Sequence, residues 1–67
     1  HSPPHFHARY GDFEILVEIE SGIVEGRFPR KALKAVLDWH ELHREELMVN
    51  WIRAEERKEL LSIPPLG

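Results

Sequence analysis

The sequence predicts an α+β domain, in which a small antiparallel sheet of about three strands precedes a long or broken C-terminal helix packed on one face. Three observations carry this expectation. Apolar and polar residues alternate with a period of two from His5 to Ile19, Gly11, Gly22 and Gly26 punctuate that region, and no Gly or Pro interrupts the chain from Ala32 to Ile63.

The first element follows Ser2-Pro3-Pro4, which is extended because proline fixes its own φ and holds the preceding residue out of the α region. From His5 to Tyr10, Phe6, Ala8 and Tyr10 fall on one side and His5, His7 and Arg9 on the other. Gly11-Asp12 is suited to a two-residue turn into a second strand, Phe13 to Glu20. There Phe13, Ile15, Val17 and Ile19 face one way, and Glu14, Leu16, Glu18 and Glu20 the other. Ser21-Gly22 turns the chain again into a short third strand, residues 23–27, with Gly26 marking a bulge or an end.

Pro29 suits the first helical position, where its missing N–H has no intrahelical partner to lose. Beyond it Ala32, Leu33, Val36, Leu37, Trp39, His40, His43, Leu47, Met48 and Trp51 form a broad stripe at about 100° per residue. An uninterrupted helix to about Lys58 would reach roughly 40 Å, more than a core of this size can back. A break near His43-Arg44 is therefore expected. The tail, Ser62 to Gly67, should run extended and pack Ile63 or Leu66 back on the domain.

At 67 residues, residues 1–67 make one small domain near the size where an apolar core is only marginally sufficient. There is no cysteine, so neither a disulfide nor a thiolate zinc site can reinforce it, which fits a cytoplasmic protein. No apolar run is long enough for a membrane span or a signal-peptide core. Net charge is −3 and evenly spread: residues 1–30 carry three Arg against five acids, residues 31–67 six Lys and Arg against seven. Without a basic face, general nucleic-acid binding is not expected.

The pattern His1-x-Pro-Pro-His-Phe-His-Ala, then Tyr10-Gly11, Val24-Glu25-Gly26 and Phe28-Pro29-Arg30, resembles the bacterial family known as domain of unknown function (DUF) 4160. Trp39, Leu42-His43-Arg44, Leu47, Asn50-Trp51 and Ile63-x-Pro65-Leu66 continue the resemblance over essentially the whole chain. It implies that a strand and a turn normally precede the histidine motif, so that His1 sits mid-domain. It also implies small prokaryotic proteins encoded beside another small domain, an arrangement comparable to toxin–antitoxin pairs. His40 departs from the small apolar residue usual in the family.

Three of the five histidines lie in the first ten residues, and three readings compete for them. As a metal site, His5 and His7 place two imidazoles on one strand face about 7 Å apart along the chain, with His1 as a third ligand and Glu14 or Glu18 across the hairpin as candidates for a fourth. A divalent transition metal such as zinc, nickel or copper suits imidazole. As a metal-independent ribonuclease, His5 and His7 would serve as acid and base and Arg9 would steady the phosphate, although alternation turns Tyr10 away from that trio. As scaffolding, Pro-Pro-His-Phe-His is a rigid lead-in to the sheet with its imidazoles hydrogen-bonded locally.

His40 and His43 read as satisfied core or rim residues, and Trp39 and Trp51 as core or interface anchors. The Glu14, Glu18 and Glu20 row reads as a solvated strand face or a surface for a basic partner. The leading functional expectation is a protein-interaction component of a two-gene, toxin–antitoxin-like system, acting with a protein partner or as a homo-oligomer. The rival is a metal-binding protein or ribonuclease built on His1, His5, His7 and Arg9.

Overall fold

A computed structural model describes residues 3–66. Strands β1 (His5–Tyr10), β2 (Phe13–Glu18) and β3 (Val24–Gly26) precede one helix, α1 (Arg30–Glu55). They form an antiparallel sheet in the order β1-β2-β3, which is the expected α+β arrangement. Gly11 takes φ 58°, and the two-residue turn it opens pairs Tyr10 with Phe13 and Arg9 with Glu14. That turn sets the register of the whole hairpin.

The register puts Phe6 opposite Val17 and Ala8 opposite Ile15, while Val24 of β3 pairs with Val17 from the other side. Alternation then gathers these side chains on one sheet face. Ile15, Val17, Ile19 and Val36 are buried, and Phe6, Ala8, Val24, Phe28, Leu33 and Leu37 pack against the cluster of Ile15, Val17 and Val36. Phe13 shares the face but lies at the hairpin end and is exposed, as is Tyr10, whose ring meets Phe28 at 6.1 Å. β2 ends at Glu18, two residues short of expectation, yet Ile19 stays fixed because its N–H donates to the Pro4 carbonyl at 2.9 Å. β3 is shorter than expected as well. Gly26 has φ 108°, and a Cβ there would lie 2.7 Å from the Glu14 carbonyl oxygen, so the strand can close on β2 only with glycine at this point.

Pro29 is the residue before the helix, and its carbonyl accepts the first helical bond from Leu33 N–H at 2.8 Å. The helix is kinked at His43, whose φ of −114° and ψ of 18° are non-helical, at the expected break. A straight helix of 26 residues would run about 39 Å, longer than the 34 Å greatest extent of the molecule. The kink therefore keeps the second half beside the domain.

The helix ends at Glu55, before the expected Lys58, in a Schellman closure. Lys58 N–H donates to the Arg53 carbonyl and Arg57 N–H to that of Ala54, with Arg57 at φ 59°. This turns the tail back along α1. Asn50 clasps Leu61 with two bonds of 2.8 and 2.9 Å, Trp39 Nε1–H donates to the Pro64 carbonyl at 2.9 Å, and Ile63 is half-buried as expected. Among the described residues no helix is long and apolar enough to cross a membrane.

Candidate functional site

On the sheet face away from the core, β1 presents His5, His7 and Arg9, paired across the hairpin with Glu18, Leu16 and Glu14. Pro3 and Pro4 hold the approach to the strand rigid. His5 Nδ1–H donates to the Pro3 carbonyl at 2.9 Å. A carbonyl can only accept, so this contact fixes the proton on Nδ1 and leaves Nε2 with its lone pair in the neutral ring. Trp51, beyond the kink of α1, brings its ring to 5.1 Å from that of His5.

The His7 ring centroid lies 5.4 Å from that of His5, with the rings nearly perpendicular at 79°. Its Nδ1 is 3.1 Å from Glu14 Oε2, and Arg9 Nε is 3.4 Å from Glu14 Oε1. One carboxylate thus bridges both basic side chains. The carboxylate favours a proton on the ring nitrogen it faces, so His7, like His5, carries its lone pair on Nε2 in the neutral ring. These groups are solvated, His7 at 55 % and Arg9 at 79 % side-chain exposure, and each contact contributes no more than about 1 kcal/mol to stability.

The structure therefore brings His5, His7 and Arg9 onto one face, with Glu14 joining His7 to Arg9. Tyr10 is on the opposite face, as alternation requires. Glu18 is turned to the β2–β3 loop, where its Oε1 accepts the Ser21 hydroxyl at 3.0 Å. His1 lies outside the described residues. Among the described residues no group of three His, Cys, Asp or Glu could hold a metal ion.

The helix histidines are a separate set. His40 is 6 % exposed, its Nε2–H donates to the Ile19 carbonyl at 2.6 Å, and its ring stacks on Phe6 at 6.1 Å. His43 is buried at the kink, bonded through Nδ1 to Glu46 Oε1 at 2.6 Å and packed on Trp39 at 5.4 Å. Both are satisfied interior residues.

A second feature lies beyond the kink. Val49 and Ile52 are exposed on the helix, and Leu60 and Leu61 on the tail. Val49 forms a ridge between two shallow grooves, one of about 410 Å³ lined by Glu20, Arg44, Glu45 and Met48, the other of about 250 Å³ lined by Glu45, Glu46, Leu61 and Ile63.

Comparison with known proteins gives one family match: the model described as "Domain of unknown function (DUF4160)" matches residues 1–52, from the histidine stretch into the second half of α1. No curated protein and no solved structure matches.

Proposed function

The chain belongs to the DUF4160 family, whose name assigns no activity, and from that premise we propose that it is the protein-interaction component of a two-gene, toxin–antitoxin-like system acting in the cytoplasm. The observation that carries the reading is the apolar ridge of Val49 with a groove on either side. Beyond the kink α1 has apolar residues on two sides: Leu47 and Trp51 are half-buried, while Val49 and Ile52 remain open. Contiguous exposed apolar surface of this kind marks association more often than isolated exposed residues do.

The rim favours a different protein over a second copy. Glu20, Glu45 and Glu46 border the two grooves, with Arg44 the basic residue among them. A two-fold contact would set the same patch against itself and bring these carboxylates together. An amphipathic helix of a partner, apolar along one stripe and flanked by Lys or Arg, matches both the grooves and their rim.

The test is the melting temperature of the chain with and without the neighbouring small protein that this reading requires. A partner at about 100 times its Kd stabilises the fold by about 2.7 kcal/mol, which in a domain of this size raises Tm by upwards of roughly 10 °C. Val49→Asp should abolish that shift while leaving the melting of the free chain nearly unchanged. Unchanged melting of the wild-type mixture would end this reading, and a shift that survives Val49→Asp would reject this face.

RNA cleavage by His5, His7 and Arg9 draws less support. Glu14 occupies the space between His7 and Arg9, where a phosphate would meet a carboxylate and find the guanidinium already paired.

A further inference from the structure

The geometry points to His5 and His7 as a bidentate imidazole site for one divalent transition ion of the copper, nickel and zinc group, with both rings binding through Nε2 and water filling the remaining positions. This inference stands apart from the partner surface, which lies on α1 and the tail.

Two observations carry it. The first is the fixed proton on each ring. His5 Nδ1 faces the Pro3 carbonyl at 2.9 Å and His7 Nδ1 faces the Glu14 carboxylate at 3.1 Å. A ligating histidine is ordinarily held in this way, with the nitrogen remote from the metal directed at a carbonyl or carboxylate that sets the tautomer and raises the basicity of the other. Here two neighbouring imidazoles have that arrangement before any ion is present.

The second observation is the spacing. With metal–nitrogen bonds of about 2.1 Å and a tetrahedral angle, two imidazoles sharing an ion through Nε2 have centroids about 5 Å apart. The His5 and His7 centroids are 5.4 Å apart. His5 is held by Pro3 and the Trp51 ring, whereas the more exposed His7 can complete convergence by small rotations about its side-chain bonds. Since no group of three donors converges among the described residues, the ion keeps open coordination positions. Imidazole as the donor selects copper, nickel or zinc over calcium or magnesium, which take oxygen ligands.

Glu14 is a positioning residue in this arrangement. It touches His7 through Nδ1 and, by pairing with Arg9, offsets the positive charge of that neighbouring side chain.

The probe is Cu²⁺ or Zn²⁺ alone, titrated into the full chain by calorimetry, with electron paramagnetic resonance of the copper form to count coordinated imidazoles. The expected result is one ion per chain, with nitrogen couplings from two imidazoles. His5→Ala and His7→Ala should each weaken binding sharply and leave the coupling of a single imidazole in the copper spectrum, with little change in the melting of the ion-free chain. Glu14→Gln should keep both couplings but weaken binding roughly 10- to 100-fold. His1→Ala controls for chelation at the start of the chain and should retain both couplings. Failure to bind either ion, binding unchanged in His7→Ala, or loss of the ion in His1→Ala alone would overturn the assignment. An affinity unaltered by Glu14→Gln would overturn the positioning role of Glu14.

Discussion

The histidines of β1 and those of α1 are the same residue type put to opposite use by burial. His40 and His43 are at most 8 % exposed, and each has a ring nitrogen tied at 2.6 Å to an oxygen and its ring packed on an aromatic neighbour. His5 and His7 rest on the outer face of the sheet, tied through Nδ1 and with no partner for the other nitrogen among the described residues. In a low-dielectric interior an unpaired polar group is costly, so the hydrogen bonds of the helix pair are needed by the fold. On the strand, water meets that requirement, and the second nitrogen stays available to a ligand.

The largest consequence falls on His40. Replacing it with Ala empties a site beneath Phe6 and leaves the buried Ile19 carbonyl without its donor, which together should cost roughly 2–4 kcal/mol. A domain this small rarely holds more than about 3–5 kcal/mol in total, so His40→Ala is expected to lose most of its stability, with a much lower melting temperature by circular dichroism. His40→Gln, whose amide can donate to the same carbonyl, should recover much of the loss. If His40→Ala melted like the wild type, the contrast between the two pairs would collapse. His43→Ala comes next, at about 1–2 kcal/mol in urea denaturation. Its partner Glu46 has a half-exposed side chain and returns to water when the bond is lost, whereas the Ile19 carbonyl cannot.

Much of this contrast was legible in the sequence. The period of two separated His5, His7 and Arg9 from Phe6 and Ala8, and the placing of a two-residue turn at Gly11-Asp12 already implied that Arg9 faces Glu14. Helical spacing put His40 and His43 on the apolar stripe, and the length of that stripe against the size of the core located the kink at His43. The strand and helix ends were less legible, because they depend on bonds from distant residues. Ile19 leaves the β ladder yet is held by Pro4, and α1 stops at Glu55 because Arg57 adopts a left-handed conformation that no glycine signals. Nor does spacing place Trp51 against His5 or Pro64 under Trp39. Those contacts follow from the angle of the kink and the reversal of the tail, both set by tertiary packing.

The strand pair gives the smallest expected effects on folding, and for that reason the sharpest discrimination. His5→Ala loses an edge of the Trp51 contact and an exposed hydrogen bond, His7→Ala loses only a solvated contact with Glu14, and Glu14→Gln keeps the shape of its side chain. Each should alter stability by no more than about 0.5 kcal/mol, as surface substitutions usually do. Measured in one urea series with the helix variants, this predicts a wide gap between His43→Ala and His5→Ala, with unchanged m-values on both sides. A loss near 2 kcal/mol in His7→Ala would mean that Glu14 and His7 brace the hairpin, and the outer face would then belong to the scaffold. A near-neutral result leaves His5 and His7 without a structural reason for their pinned Nδ1 atoms, and ligand binding becomes the property by which the two variants must differ from the wild type.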